Sequence, residues 1–262
     1  MNNICALAFD LDGTVYHGNS AIEGARETIN VLINLNYQIF YFTNNSAKTR
    51  EQIVDKLSRL GFPVKPQNVY CVSRAMSAYL IEKEITPIYL IGTDDLKDEL
   101  SARKIKIKNS SRVSAVVVGL DPSFDYSKIS IALEAINKGA KLIVANTDPF
   151  YPIENNRRLP GCGAMVGAIV GATFHPPDFT VGKPNTYMLE LLCEDHNLSP
   201  EKICIVGDSP ESDIKMATNL KCQSILFDPK DAFLTFSGDK VKSHHEIILL
   251  TNKKRGEANE YT

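Results

Sequence analysis

Short apolar runs alternate along this chain with amphipathic segments. Residues 4–9 form a continuous apolar stretch, the pattern of a strand covered on both faces. Ile22, Ala25, Ile29, Leu32 and Ile33 then recur at helical spacing. Residues 38–43, rich in aromatic and β-branched side chains, predict a second strand. Thr49-Arg-Glu-Gln52 has capping-box spacing ahead of Ile53, Leu57 and Leu60, and Gly61 is placed to stop that helix. A further helix is predicted over 73–84. From Pro87 the pattern restarts, with strands over 88–91, 115–120 and 142–145. Helices are expected over 96–103, around Ile129, Ala132, Leu133 and Ile136, and over 162–171. His175-Pro-Pro-Asp178 breaks the chain. After it come a helix over 185–196, a strand over 203–206, a short helix over 212–219 and a strand over 223–227, and the polar stretch 253–262 reads as a frayed end.

Alternating strands and helices of this kind predict an α/β layered fold around a parallel sheet. We expect that sheet to be interrupted by an insertion, residues 1–86 and 181–262 forming the core and 87–180 a second, smaller α/β lobe. The 262 residues leave ample chain to bury both. There is no internal repeat.

Several polar groups fall where predicted strands end, which is where open parallel sheets bind ligands. Asp10-Leu-Asp-Gly-Thr14 follows the first strand. While the chain stays extended, Asp10 and Asp12 point to one side, about 7 Å apart at their Cα atoms. Carboxylates so close repel unless a cation or a proton intervenes. Gly13 permits a tight turn, and Thr14 supplies a hydroxyl. Thr43-Asn-Asn45 ends the second strand, Gly207-Asp208-Ser209 ends the strand over 203–206 with Asp213 beyond it, and Lys183 follows the chain break. Any one of these could be a solvated turn or surface lysine. Together they bring carboxylates, a hydroxyl and one cation to a single rim.

Composition narrows the partners. Lys+Arg and Asp+Glu nearly balance, giving a formal net charge of −2, so no electrostatic footprint for nucleic acid or an anionic membrane is present. No apolar run is long enough to cross a bilayer, and the first residues lack the cationic start of a signal peptide. Six cysteines without any Cys-x-x-Cys, several inside apolar runs, predict buried thiols in a reducing, cytoplasmic setting.

These residues resemble the motifs of the haloacid dehalogenase superfamily of aspartate-dependent phosphohydrolases. Asp10–Thr14 is similar to its first motif, Thr43 to its second, Lys183 to its third, and Asp208 with Asp213 to its fourth. The long insertion, Thr43-Asn-Asn45 and Asn146-Thr-Asp-Pro149…Leu159-Pro-Gly-Cys-Gly163 resemble the para-nitrophenylphosphatase-like branch with its large α/β cap. The chain departs from the pattern at Ser212, a position often Thr, and at Pro210.

The resemblance implies a Rossmann-like parallel-sheet core with an inserted cap, and a Mg²⁺-dependent phosphatase of small phosphorylated metabolites. Sugar phosphates, nucleotide monophosphates, phosphoglycolate or pyridoxal phosphate are the implied substrate types, with para-nitrophenyl phosphate as a generic one. It makes Asp10 the nucleophile, forming an aspartyl-phosphate, and Asp12 the general acid and base. Mg²⁺ would be held by the Asp10 and Asp208 carboxylates and the Asp12 carbonyl, with Asp213 orienting ligands. Thr43 and its neighbours Asn44 and Asn45 would hold phosphoryl oxygens and Lys183 would supply positive charge. In the cap, Asn146, Asp148 and Tyr151 are the candidates for contacting the rest of the substrate. A homodimer through the cap is a further implication.

Two other readings fit part of the pattern. A phosphotransferase or mutase would pass phosphate to an alcohol instead of water, and a phospho-accepting signalling receiver also groups carboxylates, a hydroxyl and a lysine, but leaves the insertion unexplained. The five histidines form no ligand set, and His244-His245 reads as surface. Gly163, Gly167 and Gly171 at four-residue spacing predict close helix packing. No Walker-type phosphate loop occurs.

Overall fold

The computed structural model describes residues 4–153 and 157–255. In chain order the elements begin with β1 (Ala6–Asp10), β2 (Tyr16–His17), β3 (Ser20–Ala21), α1 (Ala25–Asn34), β4 (Gln38–Thr43), α2 (Arg50–Arg59), β5 (Val69–Cys71) and α3 (Val72–Glu82). Next come β6 (Ile88–Ile91), α4 (Asp94–Ala102), β7 (Ala115–Val118), α5 (Tyr126–Asn137), β8 (Lys141–Val144), β9 (Phe150–Ile153), β10 (Arg157–Pro160), α6 (Cys162–Thr173) and β11 (Phe179–Thr180). The chain continues through α7 (Tyr187–His196), β12 (Ile203–Gly207), α8 (Lys215–Asn219), β13 (Gln223–Phe227), β14 (Lys240–Val241) and α9 (His244–Arg255).

The chain divides into two compact units, Met1–Thr43 with Ile53–Tyr70 and Lys183–Thr262, and Asn44–Gln52 with Cys71–Gly182. The first is built on a six-stranded sheet of order β14-β13-β12-β1-β4-β5, parallel from β14 through β4. Every residue of β1 and β12 is buried, which is why both sequences are uninterrupted apolar runs up to the polar residue at the rim. β1 lies in the middle, with Asp10 opposite Phe42 of β4 and Phe9 opposite Val206 of β12. The chain leaves β1 to one side toward β4 and later returns on the other as β12. This reversal leaves a crevice at the carboxyl end of β1.

The second unit carries its own parallel sheet, β11-β8-β7-β6, with α5 and α6 among its helices. The division falls at 70/71 and 182/183, where the sequence pattern had placed it at 86/87 and 180/181. Helix α3 goes with the second unit because Tyr79 stacks on Phe179 of β11, ring centroids 3.9 Å apart. Residues 44–52 go with it as well.

Local signals held where side-chain chemistry dictates backbone geometry. The capping box forms: Gln52 N donates to Thr49 Oγ1 and Thr49 N to Gln52 Oε1, both at 3.3 Å. Gly61, at φ +81°, takes the left-handed conformation beyond that helix. Four expectations change. The helix expected over 212–219 begins as a wide π turn, Pro210–Ile214, before α8. The polar stretch from 253 begins inside α9, whose apolar side is buried through Ile247 and Ile248; residues 256–262 lie outside those described. The stretch between the strand over 142–145 and the helix over 162–171, for which the pattern predicts no element, contains the hairpin β9–β10. Of the glycines of α6, only Gly163 makes a close approach, where a Cβ would meet the Thr147 carbonyl at 2.3 Å; Gly167 and Gly171 have open space beside them.

Cys71, Cys162 and Cys204 are buried, and no disulfide occurs among the described residues. No helix of the described residues is long and apolar enough to cross a membrane.

Candidate active site

At the crevice of the first unit, Asp10 closes β1, Asp208 follows β12, and Asp213 sits in the π turn. One carboxylate oxygen from each lies within 4.8 Å of the others. Two glycines make this convergence possible. A Cβ on Gly13, which has φ +101°, would stand 2.1 Å from Asp208 Oδ2, and one on Gly207 would stand 2.3 Å from Asp213 Cγ. Any larger residue would displace a carboxylate. The turn is folded around Asp213, whose Oδ2 accepts from Ser209 N at 3.2 Å, while Ser209 Oγ accepts from Ser212 N. At Ser212 the serine-for-threonine difference therefore leaves the backbone contact in place.

Lys183, wholly buried, donates to Asp10 Oδ1 at 2.5 Å and to Asp213 Oδ1 at 2.6 Å. Burial alone would lower its pKa, but Asp10 and Asp213 raise it above the ordinary lysine value, so it stays charged. Burial, with Asp213 and Asp208 nearby, lifts the Asp10 carboxyl well above its usual range against the pull of Lys183. Burial and Asp213 push Asp208 up to about 6. When all three carboxyls are ionised, the single ammonium, which pairs with Asp10 and Asp213, leaves an excess of two negative charges in the crevice. An all-oxygen donor set with that excess fits a hard divalent cation, which would draw these pKa values down again.

Asp12 stands in the turn after β1 with exposed surface, yet the protein crowding its carboxyl raises its pKa; Lys56 and a hydrogen bond from Tyr16 pull the other way. Thr43 is buried at the end of β4. Thr14, expected to offer a hydroxyl, is buried with its Oγ1 lacking a partner among the described residues.

His244 does not sit on the surface as expected. It is buried at the start of α9, its Nε2 2.8 Å from the Thr14 carbonyl and its ring 4.4 Å from that of Phe227. Periodicity could not reveal this, because the partner is the distant loop after β1. Burial holds the His244 pKa below its ordinary value, although carbonyls of Thr14 and Glu23 oppose the shift. The unfolded chain thus takes up this proton first, and the stability linked to it falls as pH drops from about 6.5 toward the folded value. We expect His244→Leu to remove this contribution, at most about 1.4 kcal/mol per pH unit. Urea denaturation of both proteins between pH 5 and 8 checks it: a difference that does not change with pH would contradict the assignment.

The remaining candidates belong to the second unit. Asn44 Nδ2 donates to Asp148 Oδ2 at 3.1 Å, Asn146 Nδ2 to the Asn44 carbonyl at 2.7 Å, and Asp148 N to Asn146 Oδ1 at 3.1 Å. These three therefore bind one another. Asn45 closes a turn by accepting from Ala47 N at 2.9 Å. Tyr151 is half-buried on β9, opposite Leu159 of β10.

A parallel α/β sheet whose central strands end in carboxylates, with one buried lysine bridging two of them, is the class of site found here. Residues 7–106 match the family model of the haloacid dehalogenase-like hydrolases, and residues 180–228 match the HAD-hydrolase-like model. The chain is 35% identical over 226 residues to an acid sugar phosphatase of Staphylococcus epidermidis, covering 86% of each protein. Its fold superposes on a 4-nitrophenylphosphatase of Thermotoga maritima with a TM-score of 0.86 at 26% identity, covering 94% of this chain and 97% of that one. A glycerol phosphate phosphatase of Mycobacterium tuberculosis, solved in complex with magnesium, gives a TM-score of 0.81 at 26% identity over 92% of this chain and 76% of its own. The chain belongs to the haloacid dehalogenase-like hydrolases, in the phosphatase branch that includes the 4-nitrophenylphosphatases.

Proposed function

We propose that this protein is a Mg²⁺-dependent phosphatase of small sugar or polyol phosphates that works through an aspartyl-phosphate on Asp10. The observation that carries the reading is the buried Asp10–Lys183–Asp213 array with Asp208 beside it at the end of β1. The named activities of the relatives, on sugar and glycerol phosphates, favour that substrate class over nucleotides or pyridoxal phosphate, and the relatives named phosphoglycolate phosphatase set phosphoglycolate beside it.

Phosphate monoesters hydrolyse extremely slowly unaided, so the site must position groups and offset charge. The Asp10 oxygen attacks phosphorus and the ester oxygen departs with a proton from Asp12. Asp12 then takes a proton from water, which attacks the phosphoryl group and releases phosphate, regenerating Asp10. Lys183 holds the nucleophile in one rotamer and contributes positive charge beside the transferring group. Thr43 and backbone amides at the end of β4 hold phosphoryl oxygens. Asp10, Asp208 and the Asp12 carbonyl would hold Mg²⁺, with Asp213 as the residue that orients them; the ion supplies charge that lets a carboxylate approach a phosphate dianion. In the second unit, Tyr151 is our candidate for contacting the organic part of the substrate, while the Asn44–Asn146–Asp148 network shapes the segment that carries it. Buried thiols without disulfides support a reducing cytoplasmic location.

Treatment with EDTA is expected to abolish phosphate release, and Mg²⁺ to restore it. Adding Mg²⁺ at about 100 times its Kd should also stabilise the fold by about 2.7 kcal/mol. Undiminished turnover after EDTA would overturn the metal, and a panel of sugar phosphates, glycerol phosphate, phosphoglycolate, nucleotides and pyridoxal phosphate would rank the substrates.

A further inference from the structure

Asp12 does not stand alone in its turn. The segment after β1 is closed by backbone hydrogen bonds from Tyr16 N to the Leu11 carbonyl at 3.1 Å and from Gly13 N to the Tyr16 carbonyl at 2.9 Å. These bonds bring Tyr16, which opens the small hairpin β2–β3, back beside Asp12. Its ring is buried, and its hydroxyl donates to Asp12 Oδ2 at 3.3 Å. Lys56, from α2, places its Nζ 3.6 Å from the centroid of the Tyr16 ring. All three side chains belong to the first unit.

We propose that Tyr16 and Lys56 are positioning residues for proton transfer: Lys56 clamps the Tyr16 ring, and the Tyr16 hydroxyl fixes the rotamer of Asp12. A carboxyl group on a short side chain can turn about χ1 and χ2, and each misdirected rotamer is useless to a leaving oxygen. A phenol bound to Oδ2 removes that freedom and leaves the other carboxyl oxygen for the proton. The ammonium over the ring face fixes the ring through cation–π attraction and polarises the phenol toward stronger donation. Tyr16 touches neither substrate nor phosphorus in this role; it acts through Asp12. The inference rests on the acid–base assignment of Asp12 made above.

The test exploits leaving groups. Nitrophenolate departs without a proton, whereas the alkoxide of glycerol phosphate needs one. The ratio kcat/KM reports the chain of events through the first phosphoryl transfer, before water enters. Tyr16→Phe, which removes only the hydroxyl, is expected to lower kcat/KM for glycerol phosphate at least about tenfold more than for 4-nitrophenyl phosphate, a fraction of the 10²–10⁴ that general acid catalysis supplies. Lys56→Met should shift the same ratio in the same direction by about threefold, and Lys56→Arg, which keeps a cation over the ring, should return it toward the wild type. Asp12→Asn is the control and should show the strongest leaving-group bias. If Asp12→Asn shows no bias, the acid–base reading of Asp12 fails. If Asp12→Asn is biased but Tyr16→Phe matches the wild type or loses both substrates equally, the positioning role is overturned while the wider reading stands. Should Tyr16→Phe fold poorly, the Lys56 pair decides: equal ratios for Met and Arg would refute the clamp.

Discussion

Asp10→Asn is expected to release phosphate from any monoester at least about 10⁴-fold more slowly than the wild type if, as proposed, Asp10 supplies the charged oxygen that bonds to phosphorus. The asparagine keeps the shape of the side chain and an acceptor oxygen for Lys183, so the fold around β1 should persist. What it lacks is the carboxylate charge needed to form an acyl-phosphate. Acid-quenching the wild type during turnover of a labelled substrate should trap phosphoprotein, and the variant should trap none. Phosphate release at the wild-type rate by Asp10→Asn would remove the nucleophile assignment.

Replacing Lys183 by Met will damage both rate and stability. The buried ammonium bridges Asp10 and Asp213, at 2.5 and 2.6 Å. Without it two carboxylates face each other buried and uncompensated. Breaking a buried pair from one side costs about 3–5 kcal/mol, which corresponds to a fall in Tm of roughly 6–20 °C. The pH dependence has a definite sign. In the variant the Asp10 carboxyl, already lifted by burial and its acidic neighbours, loses the pull of Lys183 and should prefer the protonated form in the folded state. Its contribution is then most favourable at low pH and worsens as pH rises through the folded value. The deficit relative to wild type should therefore be larger at pH 8 than at pH 5. Turnover should drop by about 10²–10³ even where the variant is folded, through lost charge at the phosphoryl group. Calorimetry of both proteins across that range checks the first part, and a uniform deficit at every pH would contradict it.

The motif residues were legible because each is tied to a strand end by the pattern around it. A buried parallel strand must be apolar throughout, so the first polar residue after it marks the rim; Asp10, Thr43 and Asp208 are found this way. The capping box at Thr49–Gln52 and the stop at Gly61 were legible for a similar reason, since the chemistry acts within one helical turn. Periodicity did not reveal Tyr16, Lys56 or His244. Tyr16 precedes no run, Lys56 looks like one solvated residue of an amphipathic helix, and His244 looks polar beside His245. Their roles arise from partners that periodicity does not link to them: Asp12 across a tight turn for Tyr16, the Tyr16 ring for Lys56 and the Thr14 carbonyl for His244. The α6 glycines failed in the opposite direction, since a regular spacing without a facing helix is only a stripe.

The sequence by itself determined which residue types are present at the strand ends, the α/β character of both units and the family. These depend on local covalent geometry and on alternation between apolar and polar positions. Only the tertiary structure decided that the lysine bridges two particular carboxylates, that glycines at 13 and 207 give those carboxylates room, and that a tyrosine and a lysine hold Asp12. Distances between side chains remote in sequence depend on how sheets twist and helices dock, and no local pattern carries that information.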